Sequence, residues 1–385
     1  EAGVDTWGFN ASITVNADGG NDTIILNTSG FNSSLTLNGG DGNDAFSFAG
    51  GDWDAHVAGH VTINGGAGTD SLSINDTQDL PGDDVYFISQ TTFNKSTGRT
   101  LTYSNLATFN LWTTDYSETL SVPQDLTMVI RSYGGNDQFV VGDGRIDQNI
   151  KGKLEIWTGA GNDKVTLDDS LHWGTDTYNV SGNQLAKSFL TNPIAFHEAE
   201  LWELKANSWP NIINIGMVYN FQSATVRGGA GDDVIRVGHP MKDLDAVQGR
   251  LYIDGQAGTD TIVFDDTLDV AEPDNYSLTR QLMTDIFSKP QTAETWMVGH
   301  EKIELYANGG NNSLSIMPTV APVLVNAGPG DDNINVEGAN VTVVSGAGQD
   351  SLSVDGDMTG SGSHAFVVGP EHLRDLFVGP GGRLT

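Results

Sequence analysis

The residues best placed to do chemistry in this sequence are aspartates that close glycine-rich turns. Ten such turns recur: GGNDTIIL at 19–26, GGDGNDAFSF at 39–48, GGAGTDSLSI at 65–74, GGNDQFVV at 134–141, GAGNDKVTL at 159–167, GGAGDDVIRV at 228–237, GQAGTDTIVF at 255–264, GGNNSLSI at 309–316, GPGDDNINV at 328–336 and GAGQDSLSV at 346–354. Glycine permits backbone conformations that turn carbonyl oxygens inward, and the aspartate adds a hard anionic oxygen. Six to eight such oxygens at about 2.3–2.6 Å describe a calcium site. The candidate ligands are Asp22, Asp44, Asp70, Asp137, Asp163, Asp233, Asp260, Asp332 and Asp350, with Asn43, Asn136, Asn162, Asp232 and Asp331 beside them. The same turns have a metal-free reading, because Asp and Asn also hydrogen-bond their own backbone in tight corners. Stacked carboxylates without a counter-ion repel by several tenths of a kcal/mol or more per pair, which favours a cation.

Elements must position these turns. Each turn is followed by apolar residues at alternate positions, the period of a strand with one buried face. Asp44 to Asp70 and Asp137 to Asp163 are 26 residues apart, and Asp233 to Asp260 is 27. Asp44, Asp137, Asp233 and Asp332 then recur at 93, 96 and 99 residues. A step of 26–27 fits one coil of a parallel β-helix, which would place turn over turn at the strand spacing of about 4.8 Å. The expected fold is therefore all-β: a right-handed parallel β-helix or β-roll-like solenoid with Gly–Asp corners stacked along one edge. It would run as a single elongated unit over 1–385, with super-repeats at 12–125, 126–223, 224–320 and a partial copy at 321–357, then a C-terminal segment at 358–385. Variable loops are expected at about 90–104, 183–196 and 281–300. The expected cation pairs are Asp44 with Asp70, Asp137 with Asp163, Asp233 with Asp260, and Asp332 with Asp350, with Asp22 against Asp44. Stacked β-sandwiches of about 95 residues are the competing architecture.

Composition agrees with a repeat array. There are 48 Gly, no Cys, and 50 acids against 18 Lys+Arg, for a formal charge of −32. Of the acids 38 are Asp and 12 are Glu, which disfavours a helical bundle. Such a charge repels nucleic acid and anionic membranes. No run of 18 apolar residues exists to span a bilayer, and disulfides and thiolate metal sites are excluded. The start at Glu1 reads as a processed or excised segment.

The Gly-Gly-x-Gly-x-Asp turn before an apolar strand resembles the repeats-in-toxin (RTX) family, whose nonapeptide is Gly-Gly-x-Gly-x-Asp-x-apolar-x. Gly65-Gly66-Ala67-Gly68-Thr69-Asp70-Ser71-Leu72-Ser73 matches every specified position, as do Gly39 through Phe46 and Gly228 through Ile235. The resemblance implies Ca²⁺ held between adjacent turns by carbonyls and the Asp carboxylate. It covers about a quarter of the chain. Gln256 stands where the motif has glycine, and only Asp332 to Asp350 has the family's 18-residue step.

Other residues have blander readings. The histidines are scattered, and His197-Glu198 and His300-Glu301 read as a repeated strand entrance. Trp112, Trp202 and Tyr306 read as a repeated packing position. Trp53, Trp157, Trp173, Trp209 and Trp296 are less regular, and an exposed carbohydrate platform is open for some of them. No catalytic motif stands out. The expected function is a non-enzymatic, extracellular, calcium-binding structural or adhesive segment, with end-to-end self-association and surface glycans as partners. A polysaccharide-active enzyme and a carbohydrate- or ice-binding module are the alternatives.

Overall fold

The computed structural model describes residues 2–3, 12–26, 34–57, 59–80, 82, 84–96, 100–122, 126–270, 272–290, 292–337, 340–355, 365–367 and 375–378. The chain divides into two compact units, Glu1–Asp169 with Phe189–Trp202, and Ser170–Ser188 with Glu203–Thr385. Both are built of short strands that alternate between two long, mainly parallel sheets. Parallel neighbours cannot be joined by a tight hairpin. Here the strand on the opposite sheet serves as the crossover, so each coil contributes to both sheets.

In the first unit Thr23–Leu26, Ala45–Phe48, Ser71–Asn75, Thr108–Trp112, Thr127–Arg131, Leu154–Trp157 and Ile194–His197 follow one another in parallel register. That register stacks Ile24, Phe46, Leu72, Phe109, Met128, Leu154 and Ile194 in one column, each at most 2% exposed. In the second unit Ile213, Ile235, Ile262, Ile303, Val323 and Val341 stack in the same way. Burying each such side chain contributes about 1.5–3 kcal/mol. The period-2 pattern read from the sequence is this inward face.

The segments expected to be loops carry strands. Thr92–Lys95 lies antiparallel between Val85–Ile88 and Thr100–Ser104. Gln184–Lys187 lies antiparallel to Thr177–Ser181, and Thr284–Ser288 lies antiparallel between Asn275–Gln281 and Thr295–Val298. Their buried positions include Phe93 and Lys95, Leu185 and Lys187, and Phe287, with buried Lys289 just past the end of the third strand. A lysine at an inward position hides a strand from a hydropathy pattern.

Each hairpin also moves the corners. In the first unit the corners ending at Asp22, Asp44 and Asp70 lead from the sheet of Leu35–Asp41 to the sheet of Ala45–Phe48. After the hairpin, the corners ending at Glu118, Asp137 and Asp163 lead back the opposite way. The second unit repeats the exchange after Thr284–Ser288. Corners therefore run along both edges of each unit rather than along one. The opposite edge is closed by short turns. Trp53–His56 is a single helical turn capped by Asp52, and the Trp53 ring packs edge-on against Phe48 and Phe93. Among the described residues no helix is long and apolar enough to cross a membrane.

Candidate functional site

Every corner acid is a rung in a ladder. The N–H of Asp22 donates to Asp44 Oδ1 at 2.8 Å, and that of Asp44 to Asp70 Oδ1 at 2.8 Å. On the other edge of the first unit Glu118 N–H donates to Asp137 (2.9 Å), Asp137 to Asp163 (2.8 Å) and Asp163 to Glu200 (2.9 Å). In the second unit one ladder runs Asp176, Asn211, Asp233, Asp260, Glu301. The other runs Asp274, Asn312, Asp332, Asp350. The structure thus brings together Asp44 with Asp70, Asp137 with Asp163, Asp233 with Asp260, and Asp332 with Asp350. The contact is a backbone N–H to a carboxylate of the next coil.

In eight of the rungs only one carboxylate oxygen is used. The Oδ2 atoms of Asp22, Asp44, Asp70, Asp163, Asp233, Asp260, Asp332 and Asp350 are buried without a hydrogen-bond partner. At Asp44, Asp70, Asp233 and Asp260 this atom shares its space with a carbonyl oxygen. A Cβ placed on Gly39 would lie 2.2 Å from Asp44 Oδ2 and 2.4 Å from the Gly65 carbonyl oxygen. One placed on Gly65 would lie 2.5 Å from Asp70 Oδ2 and 2.0 Å from the Asn105 carbonyl oxygen. Gly228 has the same relation to Asp233 and Gly255, and Gly255 to Asp260 and Gly299. Carboxylate and carbonyl oxygens therefore alternate up the inside of the corner, in the space a side chain on these glycines would fill. Burial pushes Asp163 and Asp260 up to about 6 and Asp233 and Asp332 up to about 7. The accepted N–H opposes that rise, and the charge of a neighbouring rung adds to it. An oxygen column with no donor is completed by a proton or a cation.

One stretch is closed differently. Ser132 and Thr113 hydroxyls donate to Glu118 Oε2 at 3.0 and 3.1 Å, Thr114 donates to Oε1, and Ser132 also bonds Asp137 Oδ2. Burial, with the Asp137 charge adding to it, raises Glu118 to about 8.

The flanking candidates form an outer, exposed ladder running the opposite way. Thr69 N–H donates to Asn43 Oδ1 (2.8 Å), Asn162 to Asn136 (2.9 Å), Thr259 to Asp232 (2.8 Å) and Gln349 to Asp331 (2.7 Å). Turn glycines close the stack: Gly66, at φ +106°, would carry its Cβ 2.0 Å from the Gly40 carbonyl oxygen.

Acidic groups that could hold a metal ion lie elsewhere. Within single units they are Asp76–Asp79–Asp84, Asp266–Asp269–Asp274 and Asp243–Asp245–Asp269. A buried lysine already stands among them. Lys95 Nζ lies 2.9 Å from Asp76, 3.0 Å from Asp84 and 3.6 Å from Asp54, and also bonds Asp79. Lys289 Nζ lies 2.7–3.0 Å from Asp245, Asp266, Asp269 and Asp274. Lys187 pairs with Asp176 at 2.9 Å. Each ammonium lies over a tyrosine, Tyr86, Tyr178 or Tyr276. Burial works against the charged form of Lys95 and Lys289, yet the surrounding carboxylates outweigh it and raise both above the usual lysine range.

Sequence reasoning did not single out these lysines. It also missed Asp76, Asp169 and Asp266, which accept the first N–H of the turns at Trp53, Ile146 and Leu244. Each follows its corner aspartate by six residues, so the signal was present. His197 and His300 are not equivalent: His197 stacks on Trp157, while His300 bonds Asp285 at 3.0 Å in the interior. Glu301 is itself a rung, whereas beside His197 the rung is Glu200 rather than Glu198. Trp53 and Trp202 are core residues, whereas Trp173 and Trp209 are exposed. No protein-family model matches the chain, and no characterised protein matches it in sequence.

Proposed function

We propose that this chain is a non-enzymatic structural or adhesive repeat segment of an extracellular protein, with Ca²⁺ as the cation of its Gly–Asp corners. The observation that carries the reading is the column of buried carboxylate and carbonyl oxygens, in which the Oδ2 atoms of eight corner aspartates meet no donor. The column repeats coil after coil, which suits a stacked scaffold better than a single catalytic centre. Hard oxygens of this kind match Ca²⁺, and extracellular modules bind it at about 10⁻⁴–10⁻³ M. A chain with net charge −32 gains most from divalent counter-ions. The resemblance of the turns to RTX repeats supports the same assignment.

The experiment is thermal unfolding after exhaustive chelation, with Ca²⁺ or Mg²⁺ added back. A ligand that binds only the folded state stabilises it by about 2.7 kcal/mol at a hundredfold excess over its Kd. A midpoint raised by Ca²⁺ and not by Mg²⁺ is the expected outcome. An unchanged midpoint would leave the corners metal-free.

A further inference from the structure

The outward face of one sheet in the second unit departs from the regular surface. Val234–Val237, Thr261–Asp265 and Lys302–Tyr306 lie side by side, with Arg236 beside Val263 and Val263 beside Glu304. A groove of about 640 Å³ runs over them, walled by His239 and Lys242 and reaching Asp265 and Tyr306. Only 18 Lys and Arg serve a chain with 50 acids, yet Arg236 and Lys242 meet here beside His239.

Arg236 is the open member of this groove. Arg227, in the same unit, is held by Glu203 at 2.7 Å and Asp254 at 3.3 Å. Among the described residues the Arg236 guanidinium makes no hydrogen bond and no ion pair, although its charge reaches His239 and Glu304. The neighbouring charges are already engaged: Lys242 with Asp265 at 3.6 Å, and Glu304 with Lys302 at 2.5 Å and with the Tyr306 hydroxyl at 2.8 Å. His239 Nδ1 is buried without a partner. Burial, with Arg236 next, holds the His239 imidazole below its usual pKa and so neutral at pH 7.

An open guanidinium fork in so acidic a chain fits an external carboxylate, which it can take bidentately. Glu304 and Asp265 can accept hydroxyl donors. Val263 and the Tyr306 ring offer an apolar floor to the C–H face of a sugar. We propose that this groove binds an acidic saccharide of the hexuronate type, with Arg236 on its carboxylate and Glu304 and Asp265 on its hydroxyls. The site is independent of any cation at the corners.

The test is titration calorimetry on the intact chain with oligogalacturonate and oligomannuronate, using maltohexaose as the uncharged control. EDTA is present throughout, so that no divalent ion bridges ligand and protein. One of the uronate oligomers is expected to bind and maltohexaose is not. R236Q is expected to weaken binding at least tenfold, and E304Q to weaken it by a smaller factor, with thermal midpoints unchanged. R250Q, on the other sheet, is expected to leave binding as it was. No binding of either uronate at millimolar concentration, equal binding of maltohexaose, or undiminished binding by R236Q would overturn the proposal.

Discussion

Around Lys289 four carboxylates share one buried ammonium, whereas along the Asp233–Asp260 corners of the same unit the carboxylates share only backbone N–H groups. Both regions gather acids away from water, where an unpaired charge is costly. The hairpin coils carry their counter-charge covalently, as a lysine two residues beyond an inward phenylalanine or leucine. The Asp233–Asp260 corners carry none, and their free oxygens must be neutralised from outside. The first arrangement is fixed at any neutral pH. The second responds to protons and cations, so the responsive part of each unit is its corners.

Removing the fixed cation should have the largest effect. Lys289→Met leaves four acids facing one another, and deleting one partner of a buried ion pair costs about 3–5 kcal/mol. Urea unfolding should show that loss, and Ca²⁺ should restore part of it by entering the emptied nest. Gly66→Ala should follow at about 2–4 kcal/mol, from a left-handed φ and a Cβ driven into the Gly40 carbonyl. Asp260→Ala should cost about 1–3 kcal/mol by orphaning the Asp233 N–H. Asp260→Asn keeps an acceptor and removes the charge. In chelator it should unfold close to the parent, and its response to Ca²⁺ should be smaller.

The pH dependence sharpens the same contrast. Asp233 and Asp332 at about 7, and Asp163 and Asp260 at about 6, lie above the ordinary 3.8 that applies in the unfolded chain. The folded state therefore binds more protons between those values, and its stability in chelator should fall as pH rises from about 4 to about 7. Thermal scans across that range in EDTA check the sign. Asn43→Ala removes one exposed outer rung and should cost no more than about 0.5–1 kcal/mol by urea unfolding.

The corner pairs were legible because glycine, aspartate and the apolar alternation recur together at 18–27 residues. Glu118, Glu200 and Glu301 were not, since a ruler made of aspartate passes over the rungs where glutamate stands. The exchange of corners between edges was also hidden, because spacing along the chain does not say which edge a turn occupies. Lys95, Lys187 and Lys289 escaped for a physical reason: lysine reads as solvent-facing until its carboxylate partners, as many as twenty or more residues away, are placed around it. Arg236 escaped similarly. Its significance lies in the partner it lacks, which only the assembled sheet reveals.

The most direct measurement is the thermal midpoint of the intact chain with Ca²⁺, Mg²⁺ or chelator, at pH 5 and at pH 8. At pH 8 Asp163, Asp233, Asp260 and Asp332 are largely ionised, and Ca²⁺ alone should raise the midpoint by about 5 °C or more. At pH 5 protons occupy those four carboxylates and the Ca²⁺ shift should shrink. A midpoint at pH 8 that is indifferent to Ca²⁺ would contradict the calcium assignment and leave the Gly–Asp ladder as a metal-free, proton-responsive corner.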